Sequence, residues 1–529
     1  MRAALLVVAS DLPAIRKITQ FLGHKADLGC SRCKFRAERE AGTVGASGKM
    51  SYFTTNTAES RTHEEVALQA NQFLQANNKT DAAKVAKENG VRYTELVRLP
   101  YFDLIRMVSI DPMHTVHLGM VRKETELILS TLAPTKKDEF IRRVKSLKLP
   151  YDLGRLPTNM FDSTGLSGVT AAQWKTFAIV YARPCLYKLL APEPYKCLVL
   201  LAKIVEMISS PVYILEDIPK LYRLITDHHQ LFRKVYGKWA VSVNYHMCLH
   251  IPDIVMDLGP PQTFWCYPYE RMNGMLAGTP NSRRCVEVEV LDRFLREFTF
   301  STIDLPKVDP ALVPNSLKGF ADIPELEDEL PPYPTTAYVL SLLNCSPENH
   351  FSTQQEIDRG EVKDWPVKLL FPSKTVRLTP SFYKELASFF DGLYGDSLHY
   401  VQPRIRKYGR CCVNGQYFSS NFNSTERGSV VKAMFAEEDN EIAPYFGKVS
   451  FYFTVNVVVN NESKPHILSY VHWFKFRCKD VEPQSRLYMV SKQVYMRDRI
   501  VSPRRFLCRC VLVSTKSQEP YYFVSELPK

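Results

Sequence analysis

The chain has 529 residues, 45% of them hydrophobic, with 68 Lys+Arg against 56 Asp+Glu for a formal net charge of +12. That length supports two or three domains with ordinary cores, and Lys, Arg, Glu or Pro interrupts every apolar stretch before the roughly 18 residues a membrane span needs. Thirteen cysteines without an even framework in a small domain suit a reducing, intracellular compartment rather than a disulfide-stapled one.

The first element is AALLVVAS, a continuous apolar run closed by Asp11 and Pro13, as expected of a strand buried on both faces. A secretory reading of the same run is the weaker one, because the run is at the short limit and Asp11 falls where small neutral residues should precede cleavage. LPAIRKITQFLG follows with apolar spacing near 3.6, Pro near its start and Gly23 at its end, which predicts a helix. Residues 42–58 are rich in Gly, Ser and Thr and read as a loop, and HEEVALQANQFLQANN and TDAAKVAKENG as two helices. From about 120 to 300 helical periodicity dominates, with Pro or Gly between segments. DLPKVDPALVPNSLKGFADIPELEDELPPYP is Pro- and acid-rich and reads as a linker. After about 400 short aromatic and β-branched runs predict a small antiparallel barrel or sandwich. Residues 401–529 hold 20 Lys+Arg against 11 Asp+Glu, which favours a polyanionic partner, although a solvated basic face is about as common.

Three groups of residues carry chemistry. Asp11 ends a strand, where ligands and metals collect in open α/β sheets; capping of the next helix is the competing role. Cys30 and Cys33 form a CxxC pair able to chelate one face of a zinc ion, and SIDPMHTVHLG offers Asp111, His114 and His117, the histidines on one helical face and able to complete a tetrahedral site. A redox pair, two thiols with no special role, or a His117 that satisfies a buried hydrogen bond, stays open. Glu270 and Arg271 lie in GPPQTFWCYPYERMNGMLAG, where a carboxylate beside an apolar wall can bind a hard cation or pair internally with arginine.

ASDLPAIRKITQFLGHKADLGCSRC, GVRYTELVRLPYFDLIRMVSIDPMHTVHLG and NYHMCLHIPDIVMDLGPPQTFWCYPYERMNGMLAG together resemble the transposases of CACTA-type (En/Spm) DNA transposons over most of residues 1–300. The resemblance implies a nuclear enzyme with an RNase H-like core and a DDE triad, interrupted by a helical insertion. Two divalent ions, magnesium or manganese, act between the carboxylates during DNA strand cleavage and transfer. Asp11 matches the family's second aspartate, Glu270 is the candidate glutamate, and Cys30/Cys33 and Asp111-x-x-His114 match the CxxC and DxxH signatures. The family's first aspartate lies upstream of the ASDLPA segment, so the chain reads as an N-terminally truncated core lacking one catalytic Asp.

The expected fold is α+β: a truncated RNase H-like core over 1–125, a large all-α insertion over 126–262, a closing helix with Glu270 over 263–300, a Pro/acid-rich linker and irregular region over 301–400, and a basic β domain over 401–529. In the last, Lys475, Arg477, Lys479, Arg504 and Arg505 are DNA-binding candidates, while Tyr470, Trp473, Phe474 and Phe476 either stack on bases or, more commonly, fill the barrel core. The partner is DNA at transposon terminal repeats, with a homo-oligomer or a second transposon protein as further partners and no membrane. The alternative class is a non-catalytic DNA- or protein-binding remnant.

Overall fold

The computed structural model describes residues 4–302 and 367–527, apart from 24, 41–49, 53–57, 151–152, 158, 162–165, 167, 280–284, 396–398, 414, 423–426, 437–441, 483–485, 497 and 515–519. The chain forms two units, Met1–Trp265 with Phe351–Lys529, and Cys266–His350.

Residues 4–10 are extended, and Val8 makes an isolated parallel bridge with Val108. Its N–H donates to Met107 O at 2.9 Å, and its carbonyl accepts from Ser109 N–H at 3.0 Å. The expected burial on both faces is not found: Leu6 is 69% exposed, because a single bridge rather than a sheet flanks the run. Asp11 caps helix α1 (Leu12–Thr19), its Oδ1 accepting from Ala14 N–H at 2.7 Å. That helix stops one turn short of Gly23, at Gln20, whose φ of 60° is left-handed. Strands β1 (Glu38–Arg39) and β2 (Met50–Ser51) pair with each other. Helices α2 (His63–Leu74) and α3 (Lys79–Asn89) begin at Thr62 and Asn78, whose side chains accept from backbone N–H groups. Ile15, Phe21, Val66, Val91, Phe102 and Val108 close a small core here. Among the described residues, strand pairing in this half is limited to β1–β2 and isolated bridges, so no wide RNase H-like sheet surrounds Asp11.

The helical block follows as expected. A π-helical stretch, Met113–Val121, runs directly into α4 (Arg122–Thr131) and then α5 (Pro134–Ser146). Next come α6 (Ala171–Thr176), started by a Thr170/Gln173 capping box, and α7 (Arg183–Leu186). The block closes with α8 (Pro192–Ile208), α9 (Asp217–Tyr236), α10 (Val243–Cys248) and α11 (Ile251–Leu258). Phe140, Trp174, Phe177, Phe232 and Tyr245 are fully buried in it. Its centre is also polar. Glu124 and His228 are both 0% exposed and pair at 2.8 Å. Around them Glu124 Oε1, His228 Nδ1, Tyr236 OH and Tyr245 OH have no hydrogen-bond partner among the described residues. A buried polar group left unpaired costs about 1–3 kcal/mol, so four together call for partners beyond these side chains. Apolar packing gives no reason for such a cluster.

The second unit contains α12 (Tyr267–Ala277) and α13 (Val286–Thr302).

Of the expected linker, 303–366 lies outside the described residues, whereas β3 (Val367–Arg377) and α14 (Pro380–Tyr394) are regular elements of the β region. Then come β4 (His399–Val401), β5 (Arg404–Val413), β6 (Gln416–Ser419), β7 (Val430–Ala436), β8 (Ile442–Val459), β9 (Glu462–Glu482), β10 (Leu487–Val494), β11 (Ile500–Val501), β12 (Phe506–Ser514) and β13 (Tyr521–Glu526). The order β9-β10-β13-β12-β7-β8 closes because β8 also pairs β9, which makes a six-stranded antiparallel barrel. The long β8–β9 hairpin turns through Asn460 and Asn461, at φ 50° and 68°, as a two-residue turn with both positions left-handed requires. Val430, Phe446, Phe474, Val490, Cys510 and Val524, one from each barrel strand, meet in the interior, where Lys432 also pairs with Glu526 at 2.6 Å. The outer face is not free-standing: Leu487, Val511, Val513 and Phe523 belong to the same core as Trp174 and Phe177. Barrel and helical block are therefore one hydrophobic body, not two beads on a linker.

Gly447 stands opposite Trp473, and a Cβ there would lie 2.5 Å from Val471 Cγ1 and 2.6 Å from Trp473 Cε3. Gly447→Val is expected to lower stability by about 1–3 kcal/mol through overpacking, read as a reduced urea midpoint. Gly392→Ala on α14, where a Cβ meets nothing within 4 Å, should leave that midpoint level or raise it.

Candidate metal centre

Cys30 and Cys33 sit in an irregular loop whose backbone is held by three buried arginines. An Arg16 Nη2 hydrogen bond reaches Gly29 O at 2.5 Å, Arg61 Nε donates to Cys30 O at 3.1 Å and Cys33 O at 3.2 Å, and Arg32 Nη2 reaches Val108 O at 2.7 Å. Desolvation lowers the pKa of all three guanidinium groups, and the field of Cys30 opposes that shift in each. The loop carbonyls are thereby satisfied without a sheet, and cations surround the thiols.

The partners come from the far end of the helical block. His246 lies on α10 and His250 is the residue before α11, one turn on. Cys33 Sγ is 3.3 Å from His246 Nε2, and Cys30 Sγ is 3.4 Å from His250 Nε2. The four ligand atoms all lie within 4.8 Å of one another. With Zn–S near 2.3 Å and Zn–N near 2.0 Å, the edges of a tetrahedral Cys2His2 site come to about 3.5 Å, so this group is compatible with a zinc site. The His246 ring stacks on Phe35 at 4.8 Å, and Ile110, Met247, Ile254 and Phe264 wall the site in apolar surface. Burial alone would push the Cys30 thiol up; the hydrogen bond from Cys33 and the fields of His250 and His246 outweigh it and hold Cys30 well below its ordinary value. Cys33 is raised, first by that same shared hydrogen bond and then by burial. The two sulfurs share a hydrogen bond whose proton a divalent ion would displace.

The histidines read from the sequence as completing the CxxC pair stand elsewhere. His114 Nδ1 pairs with Asp111 Oδ2 at 2.6 Å, and Asp111 also accepts from the backbone N–H groups of Met113 and His114, capping the helical stretch at its start. His117 is buried in that stretch. The DxxH string is therefore a cap with its own imidazole, and the CxxC pair draws its imidazoles from NYHMCLH. The signal was a His-x3-His spacing more than two hundred residues from the cysteines, complementary to Cys-x2-Cys as zinc ligands usually are. Asp11 caps α1 in the first unit; Glu270 and Arg271 are exposed on α12 in the second.

Among the DNA-binding candidates, Lys475 is exposed, Arg504 is half-buried, and Arg505 is turned inward with its guanidinium 5.3 Å from the Phe435 ring centre. Arg477, Lys479 and Phe476 lie in β9 with side chains outside the described residues. Trp473 and Phe474 fill cores on opposite faces of β9, and Tyr470 stacks on Phe451. No protein-family model and no curated protein matches this chain.

Two expectations follow. Cys33→Ser or His250→Ala should each remove about one equivalent of bound zinc per chain and narrow the gap between the apo and metal-loaded melting curves of that variant, measured by metal analysis and thermal denaturation. The second concerns acid. Burial, with Lys175 adding and Asp111 opposing, pushes the His117 imidazole down to about 3 from 6.5. The unfolded chain takes up this proton first, so the contribution is intact above pH 6.5 and is lost, at about 1.4 kcal/mol per pH unit, as pH falls toward 3. His117→Asn should flatten the fall of the urea midpoint across that range.

Proposed function

We propose that this protein acts on DNA, as a relative of the CACTA-type transposases or as a non-catalytic DNA-binding descendant of one. The observation that carries DNA as partner is an acid-free cationic face on the paired strands β3 and β5. Arg377 pairs opposite Arg404, and Arg406 and Arg410 follow at alternate positions, with Lys368 on the same face near the other end. All five are exposed, neither strand contains Asp or Glu, and no ion pair engages any of the five among the described residues. Such a row matches the sequence-independent attraction of a phosphate backbone. The same cations also guard the outer strand β3 against pairing with another sheet.

Support for the catalytic half is narrower. The parallel Val8–Val108 bridge sets Asp11 and Asp111 each three residues beyond the paired position, at the same end of two neighbouring extended segments. Ligands gather at such ends in α/β proteins. On the transposase reading Asp11 is one carboxylate that would hold magnesium and Glu270 is the candidate for the family's glutamate; the ion would supply activation of the attacking oxygen and stabilisation of the leaving one at the phosphate. The zinc reading of Cys30, Cys33, His246 and His250 fits the same picture, because CSRC and NYHMCLH belong to two of the sequence blocks that carry the resemblance, and the tetrad joins them. The non-catalytic reading is favoured by the commitment of an Asp11 carboxylate oxygen to capping α1. Nuclear residence would follow from either. No helix among the described residues is long and apolar enough to cross a membrane.

Duplex binding should weaken with salt, with a log–log slope of about −4 to −5 for five phosphate contacts. A triple Arg404→Gln/Arg406→Gln/Arg410→Gln variant should flatten that slope by about 3 and weaken binding to all duplex sequences alike. Unchanged affinity in the triple variant would remove this face from the interface. Magnesium-dependent nicking of a duplex with terminal inverted repeats, abolished by Asp11→Asn and by Glu270→Gln, separates the transposase from the binding descendant.

A further inference from the structure

Glu124, Cys197 and His228 come from three different helices, α4, α8 and α9, and meet at the centre of the helical block. Their ligand atoms lie within 4.8 Å of one another and all three residues are 0% exposed. Glu124 Oε2 and His228 Nε2 are 2.8 Å apart. An ordinary buried ion pair would have its remaining lone pairs and N–H satisfied by neighbours. Here they are not: Glu124 Oε1 and His228 Nδ1 lack partners among the described residues, and so do the hydroxyls of Tyr236 and Tyr245 beside them. A thiol, an imidazole and a carboxylate converging in a fully buried place, with two further oxygen donors at hand, form the donor set of a borderline-soft divalent ion rather than of magnesium or calcium.

We propose that Glu124, Cys197 and His228 form a second, fully buried site for zinc or a chemically similar divalent transition ion, with a tyrosine hydroxyl or a water completing the coordination. Loading the site replaces the Cys197 S–H bond with a sulfur–metal bond, and the proton leaves to solvent. Since no face of the three ligands reaches solvent, the ion enters before the helices close and serves to lock α4, α8 and α9 together. The site is distinct from the Cys30/Cys33 tetrad, though α10 adjoins both: Tyr245 stacks parallel to His228 at 6.0 Å, and the next residue, His246, belongs to the tetrad.

The test is metal content and cobalt spectroscopy on full-length protein refolded with zinc or with Co(II). Wild type is expected to retain two ions per chain, Cys197→Ser one and Cys33→Ser one. The Co(II)–thiolate charge-transfer band should lose about a third of its intensity in Cys197→Ser, since one thiolate of three is removed. A single ion in wild type that Cys197→Ser keeps, or two ions that Cys197→Ser keeps with the band unchanged, overturns the proposal. So does an absence of retained metal after refolding. A single ion lost in Cys197→Ser but kept in Cys33→Ser supports this site while removing the tetrad, so the two assignments fail separately. Should Cys197→Ser not fold, Glu124→Gln is scored in the same way, with one ion lost as the expected result and none lost as the contrary one.

Discussion

The first unit depends on one long-range attachment: a loop at residues 30–33 meets a helix pair at 246–250 through four side chains that share one point. Buried arginines and an isolated bridge hold the rest of that loop. It has almost no strand pairing, and its carbonyls are satisfied by guanidinium groups rather than by a ladder. Three buried arginines are costly unless they meet acceptors and negative charge. Arg16, Arg32 and Arg61, from three separate segments, turn inward where backbone carbonyls and the Cys30 thiol lie, and Arg32 also meets Asp257 at 3.6 Å.

A second constraint joins the halves of the chain. The barrel presents Val511, Val513 and Phe523 to the helices, and Arg143 lays its guanidinium 5.5 Å from the Phe523 ring centre while Arg142 donates to Ser514 O. The helices bury their apolar stripe on a sheet rather than on each other alone. An all-α insertion and a β domain separate in sequence thus share one interior, and damage to either exposes the other.

Much of this was legible in the amino-acid order. Helices α2 to α9 follow apolar spacing, with side-chain caps at Thr62, Asn78 and Thr170, and of the barrel or sandwich read after residue 400 the β runs close into the barrel. The stretch 367–394 was obscured because the Pro-rich segment before it dominates the local composition, although VKLLFPSKTVR pairs with β5 along nearly its whole length. The CxxC pair was legible as half of a ligand set compatible with zinc; the other half was not, because DPMH lies nearer in sequence and spacing cannot report which imidazole arrives through tertiary folding. Arg505 was legible as a cation but not as a buried one, since only the structure shows Phe435 beneath it. The cationic row on β3 and β5 was hidden because its members are scattered over residues 368–410 and align only once the strands pair.

The barrel's filled interior has one more implication. Phe446, Phe474 and Tyr488 occupy the lumen around the Lys432–Glu526 pair, leaving the staves closed on their own side chains as small barrels usually are. Among the described residues this is a post rather than a cup, filled by its own side chains, so its outer wall is the face it offers to a partner.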